Sequence, residues 1–114
     1  MKKEKDLETE FDLAPCSFCW EQLEEMKDRK TEFFAGDGST RLKIVDANVR
    51  EQTLHFISNT GKISWPLKYQ KLVEIHTRIH NKEVALTPYE IDKILPTWGN
   101  YISGLLRYLG CDKP

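Results

Sequence analysis

The sequence predicts an α+β domain, and three observations support this fold class: a short amphipathic segment near the N-terminus, alternating apolar residues in the middle third, and helical spacing in the last third. The chain has 114 residues, of which 39% are hydrophobic and 31% are charged, as in ordinary globular proteins. This length suits one domain and is too short for a barrel or a doubly wound catalytic fold. We therefore expect a single globular domain over residues 14–114, preceded by a charged, flexible arm over residues 1–13.

The first element is predicted to be a short amphipathic helix. Between Phe18 and Phe34 the apolar residues are separated by the charged run EQLEEMKDRK, and Ser17 stands where a helix cap is expected. The segment 36–39, Gly-Asp-Gly-Ser, cannot continue a helix without a free-energy penalty. The N-terminal helix should therefore end before this turn.

The middle third has the alternation of half-buried strands. Leu42 and Ile44 alternate with charged residues in TRLKIVD, and Leu54 and Phe56 alternate with more polar residues in QTLHFIS. The cluster Asn-Thr-Gly at 59–61 predicts a tight hairpin into a third strand over residues 62–65, which should stop before Pro66 because proline has no amide to donate. These segments predict a three-stranded antiparallel meander.

The last third is predicted to form a three-helix unit. Residues 66–82 place their apolar side chains along one helical face. Thr87 followed by Glu90 is a capping-box pattern that predicts a second helix over residues 88–95, and a third helix should run from Trp98 to a left-handed cap at Gly110. The predicted core consists of the apolar residues on the inner faces of these strands and helices: Leu42, Ile44, Leu54, Phe56, Ile63, Leu72, Ile75, Ile91, Ile102, Leu105 and Leu106.

Charge and cysteine content exclude several classes of function. The net charge is −1 and the isoelectric point is about 6.3, so the chain as a whole lacks the strong positive charge of many proteins that bind nucleic acid or anionic membranes. No segment resembles a signal peptide or a membrane span, and we expect a cytoplasmic protein without a membrane partner. Three cysteines are an odd number, which favours free thiols or metal ligands over structural disulfides.

Two pairs of residues have the spacing of metal ligands. Cys16 and Cys19 are separated by two residues, and His76 and His80 lie one turn apart on a predicted helix. Together the four side chains would complete a tetrahedral zinc site if the fold brought them together. The alternative is that the two thiols are small buried hydrophobic groups and the two imidazoles are partly exposed surface groups.

A helical hairpin near the C-terminus gives the one family resemblance in the sequence. Residues 86–110, LTPYEIDKILPTWGNYISGLLRYLG, resemble the helix-turn-helix pattern of small transcriptional regulators over about a fifth of the chain. The resemblance implies that the second helix enters the major groove of DNA. Base contacts would then come from Asn100, Ser103 and Arg107, and backbone contacts from Lys68, Lys71 and Arg78.

The charge distribution agrees with an anionic partner for the second half of the chain. Residues 60–114 carry eight Lys or Arg against five Asp or Glu, whereas residues 1–59 carry nine against thirteen. Cationic side chains neutralise the phosphates of nucleic acid. We therefore expect a nucleic-acid-binding regulator of the helix-turn-helix type, with DNA as the partner.

The alternative is a non-catalytic module that binds another protein or a second copy of itself. Gly99, Ser103 and Gly104 are small enough to let another helix approach closely. The same helix face could therefore form the seam of a homodimer.

Catalytic motifs are missing from the sequence. The chain has no glycine-rich phosphate loop, no GxSxG elbow and no HExxH pair, and the CxxC at residues 16–19 lacks the preceding strand of a thioredoxin-like site. We expect no enzymatic activity and no small-molecule substrate.

Overall fold

The computed structural model describes residues 16–112, which form four α-helices and one four-stranded antiparallel sheet. The predicted α+β class is confirmed, whereas the predicted flexible arm over residues 1–13 lies outside the described residues. The elements follow one another in the order α1 (Trp20–Asp28), β1 (Glu32–Phe34), β2 (Arg41–Asn48), β3 (Thr53–Ser58), β4 (Leu67–Lys68), α2 (Tyr69–His80), α3 (Pro88–Ile94) and α4 (Gly99–Tyr108).

The N-terminal helix α1 is shorter than the sequence predicts. Its cap is Cys19, whose sulfur accepts a hydrogen bond from the amide of Gln22, instead of Ser17. The helix ends in a Schellman turn in which Lys30 has a φ of 55° and the amide of Thr31 donates to the carbonyl of Met26. The prediction that helical structure extends to Phe34 is wrong, because the chain leaves this turn in an extended conformation and forms strand β1.

The sheet has the order β1-β2-β3-β4, and every neighbouring pair is antiparallel. In the central pair, Ile44 lies opposite Phe56, and the register shifts by a bulge between Ile44 and Asp46. Leu42 and Leu54 are buried on the same face of the sheet. The predicted meander of the two central strands is therefore confirmed, with an additional edge strand, β1, on its N-terminal side.

The predicted third strand is interrupted. The hairpin at residues 59–61 forms as expected, with Gly61 at a φ of 90° and the amide of Gly61 donating to the carbonyl of Ser58. After a single bridge between Ile57 and Ile63, the chain bends outward at residues 65 and 66 and pairs again as β4. The interruption has a physical reason, because Pro66 has no amide with which to continue the ladder.

The three predicted C-terminal helices are present with small shifts of their ends. Helix α2 begins at Tyr69, three residues later than predicted, since residues 67 and 68 belong to β4. The hydroxyl of Thr87 accepts a hydrogen bond from the amide of Glu90, which confirms the cap predicted for α3. Gly110 has a φ of 93° after the end of α4, as the left-handed cap requires.

The hydrophobic core lies between the sheet and the helices. Every predicted core residue is buried except Ile63, which is 57% exposed because the third strand is interrupted beside it. At the centre of the core lies α4, with Ile102, Leu105 and Leu106 fully buried.

The small residues of α4 are used for packing inside the chain. A side chain on Gly104 would overlap the carbonyl oxygen of Phe34, and one on Gly99 would overlap the backbone of Pro88. Ser103 is fully buried and donates a hydrogen bond to the carbonyl of Gly99. The face predicted as a homodimer seam is therefore covered by β1 and α3 of the same chain.

Candidate metal centre

Four potential metal ligands meet at one end of the fold. The ligand atoms of Cys16, His76, His80 and Cys111 all lie within 4.8 Å of one another. These residues come from three separate parts of the sequence: the segment before α1, the helix α2 and the turn after α4. The group can hold a metal ion.

The two cysteines are brought together by a hydrogen bond between the two ends of the described chain and by a turn at the C-terminal end. The amide of Ser17 donates to the carbonyl of Leu109 over 2.9 Å, which places the preceding Cys16 beside the end of α4. At that end, the amide of Cys111 donates to the carbonyl of Leu106, and Gly110 supplies the positive φ of a Schellman turn. This turn directs Cys111 back toward the helices.

The two histidines lie on one face of α2 because they are four residues apart. Their ring centroids are 4.4 Å apart. The ring of Phe18 stacks on His76 with centroids 4.3 Å apart and an interplanar angle of 24°, and Phe18 also stacks on Tyr69. Aromatic packing therefore limits the orientations that the His76 ring can adopt.

Two of the six separations between the ligand atoms are close to those of a tetrahedral site. The sulfur of Cys16 lies 3.1 Å from Nε2 of His76 and 3.4 Å from Nε2 of His80. With Zn–S near 2.3 Å and Zn–N near 2.0–2.1 Å, a tetrahedral zinc site has S–N edges of about 3.6 Å and S–S edges of about 3.8 Å. A metal ion at the centre of the group would therefore require shifts of only a few tenths of an ångström at these two edges.

Burial affects the protonation of the ligands. Burial, together with the neighbouring imidazole of His80, lowers the pKa of His76 to about 4, so this ring is neutral at pH 7. Burial, followed by the nearby sulfur of Cys16, raises the pKa of the Cys111 thiol. A neutral imidazole is the form that binds a metal, and the thiol would lose its proton to the incoming cation.

The structure brings together three of the four predicted ligands and replaces the fourth. Cys19 is exposed, and its sulfur lies 3.4 Å from the amide of Gln22, where it caps α1. The fourth position of the group belongs to Cys111. The CxxC spacing favoured Cys19, whereas the contact with Cys111 depends on the path of the whole chain. The one sign of Cys111 in the sequence is that it is a third cysteine, outside the CxxC pair.

The structure separates the residues predicted to contact DNA. Asn100 and Arg107 are exposed on α4, and a terminal nitrogen of Arg107 donates to the carbonyl of Leu86. Ser103 cannot contact a base in this fold, because it is fully buried against Gly36.

The predicted backbone contacts lie on β4 and α2. Lys68 and Lys71 are exposed, and Lys71 lies 3.8 Å from the carboxylate of Glu74. Arg78 lies 3.5 Å from the carboxylate of Glu83. Two of the three predicted phosphate-binding cations therefore face a carboxylate of their own chain.

No protein-family model matches this chain, and neither the curated proteins nor the solved structures contain a match. Within residues 16–112, no helix combines the length and the apolar character needed to cross a membrane.

Proposed function

We propose that this chain is a structural zinc-binding domain in which one Zn²⁺ ties both ends of the fold to helix α2. The observation that carries the proposal is the convergence of Cys16, His76, His80 and Cys111, whose ligand atoms lie within 4.8 Å of one another. Two thiolates with two imidazoles form a common ligand set of structural zinc sites.

The number of ligands favours a structural role over a catalytic one. Catalytic zinc sites have three protein ligands and keep one position for water or substrate, whereas structural sites are closed by four. Here four protein side chains could each supply one ligand atom, which would leave no position for a reacting group. Zinc would serve this domain by holding its parts together.

The chemistry of the ligands favours zinc over other divalent cations. Magnesium and calcium prefer oxygen ligands, and the group contains only sulfur and nitrogen. Two thiolates also balance the charge of a divalent cation, so a site that contains the buried Cys111 would be neutral overall.

The proposal is tested by the metal content of the purified full chain. We expect one zinc per chain by elemental analysis, and after replacement by cobalt we expect the intense visible absorption of tetrahedral Co²⁺ with a sulfur-to-cobalt charge-transfer band. The absorption distinguishes a thiolate site from metal bound weakly at the surface.

Two cysteine variants provide a matched comparison. Cys111→Ser removes a proposed ligand. It should lower the affinity for zinc by more than the roughly 10- to 100-fold that is typical when a residue that only hydrogen-bonds a ligand is lost. Cys19→Ser changes an exposed thiol outside the group and should retain one zinc. Wild-type protein without zinc, or equal loss of zinc in both variants, would contradict the proposal.

A further inference from the structure

A groove lined by aromatic residues lies between the hairpin that follows β3 and the turn before α4. None of the candidate metal ligands lines it. It has a volume of about 270 Å³ and is lined by Lys62, Ile63, Trp65, Thr97, Trp98 and Tyr101. Trp65 is 81% exposed. An exposed apolar surface of this kind marks a binding site more often than an ordinary surface does.

Two of the three aromatic side chains in the groove are anchored to the core. Trp98 and Tyr101 pack edge to face with ring centroids 5.3 Å apart, and both contact the ring of the fully buried Phe56. Their side chains form a fixed wall of the groove, so the binding of a ligand would not have to restrict their motion.

Trp65 is held in place by its backbone. The hydroxyl of Ser64 donates to the carbonyl of Trp65 and accepts a hydrogen bond from the amide of Phe56, while Pro66 restricts the backbone of Trp65, the residue before it. The large exposed ring of Trp65 is therefore presented beside the fixed wall by a constrained segment.

The stretches of chain that build the groove contain no acidic residue. The one charged side chain that lines the groove is that of Lys62, and the carboxylate of Asp92 nearby accepts a hydrogen bond from the amide of Gly99. The lining of the groove therefore carries one positive charge and no negative charge, within a protein whose net charge is −1.

A neighbouring depression continues the groove and adds polar groups. It shares Lys62 and Tyr101 with the groove and is also lined by Asn100 and Thr60. Its one carboxylate, Asp37, accepts hydrogen bonds from the amides of residues 39 and 40. The exposed amide of Asn100 can donate to and accept from the edge of a planar ligand.

From this combination we infer that the groove binds single-stranded nucleic acid, with a base stacked on Trp65 and its flanking phosphate near Lys62. Aromatic side chains in a positive groove are the usual means of holding unpaired bases, because every base offers a flat face. A splayed base fits the volume of the groove, whereas the bases of a duplex are stacked inside the helix and cannot enter it. This inference is independent of the zinc centre.

The test is fluorescence anisotropy of labelled oligothymidylate and oligouridylate with the zinc-loaded full chain. Trp65→Ala should weaken binding by about 5- to 150-fold, the range found for the loss of one base stack. Lys62→Ala should weaken binding and reduce the slope of log affinity against log salt by about 0.7, as expected for one lost phosphate contact to a single strand.

The matched control is Tyr89→Ala. Tyr89 is also an exposed aromatic residue, at 70%, with the ammonium of Lys93 4.5 Å from its ring, but it lies on α3 outside the groove. Binding by this variant should equal that of the wild type. A thermal melt of Trp65→Ala should match the wild type, since the exposed side chain contributes little to the core.

Three outcomes would overturn the inference. The first is the absence of binding to either oligonucleotide at low salt, and the second is equal weakening by Trp65→Ala and Tyr89→Ala. The third is that an uncharged proline-rich peptide binds in place of the oligonucleotides and that Trp65→Ala abolishes this binding. Aromatic grooves also bind such peptides.

Discussion

Loss of the proposed zinc ion should lower the thermal stability of this domain strongly, and the substitution that tests this most directly is Cys111→Ser. Cys16 and Cys111 are 95 residues apart in the sequence, so a shared metal ion closes almost the whole described chain into one loop. The cross-link restricts the unfolded chain far more than it restricts the folded one.

The size of the effect follows from the length of this loop. A covalent cross-link that closes a loop of about 100 residues stabilises a protein by up to about 4.7 kcal/mol at 25 °C. Mass action gives a similar value, since a ligand at 1,000 times its dissociation constant contributes about 4.1 kcal/mol. For a domain of this size, about 4 kcal/mol corresponds to a change in Tm of about 15–30 °C.

The assay is a thermal melt followed by circular dichroism, with and without a chelator. Wild type and Cys19→Ser should each lose about 15–30 °C of Tm when the chelator is added. Cys111→Ser should melt near the temperature of the chelated wild type and should respond weakly to the chelator.

A chelator that leaves the Tm of the wild type unchanged would refute this reasoning. It would mean that the four side chains meet without a bound metal, as one buried and one half-buried thiol beside two imidazoles. A loss of stability in Cys111→Ser that is equally large before and after chelation would show that the cost comes from packing at the buried thiol and not from the metal.

Three further predictions concern stability. Because the pKa of His76 is lowered from 6.5 to about 4 in the folded, metal-free protein, the unfolded state binds a proton between these pH values that the folded state does not. As the pH is lowered from 6.5 to about 4, the unfolding free energy should therefore fall by about 1–2 kcal/mol, after allowance for solvent screening at this half-buried ring. In His76→Asn, the unfolding free energy measured by urea denaturation should depend less on pH. Gly104→Ala should lower the unfolding free energy by about 1–3 kcal/mol, because the new methyl group would overlap the carbonyl of Phe34, and a neutral effect in denaturant titrations would contradict this close packing. Lys82→Gly should raise the unfolding free energy by about 0.5–1 kcal/mol, because Lys82 lies just after the end of α2 with a φ of 65°, and a lower denaturation midpoint would count against strain at this position.

The sequence predicts the fold well where a pattern extends over many residues. The alternation around Ile44 and Phe56 and the spacing of Leu72 and Ile75 predict buried faces that the structure confirms. Prediction fails where the pattern is short. Strand β1 has only three residues, and two adjacent phenylalanines at 33 and 34 fit a helix face as well as a strand, so tertiary pairing decides between the two.

The four candidate metal ligands differ in the same way: two follow from local helix geometry, and two depend on long-range contacts. The pair His76 and His80 follows from helical geometry, and the sequence alone predicts it. The partnership of Cys16 with Cys111 depends on the backbone hydrogen bond from Ser17 to Leu109 and on the turn at Gly110. Spacing therefore favours the nearby Cys19, although Cys19 is used to cap α1.

Helix α4 shows why a helical hairpin is weak evidence for DNA recognition. Gly99, Ser103 and Gly104 are spaced so that a backbone can approach the helix closely, and the sequence alone does not show whether that backbone belongs to DNA, to a second copy or to the same chain. In the structure it belongs to the same chain: Gly104 faces β1, Gly99 faces α3, and the buried Ser103 faces Gly36. Asn100 and Arg107 remain exposed on α4, and at its start Trp98 and Tyr101 form the wall of the groove beside Trp65. A ligand at this end would contact side chains that the core already holds in place.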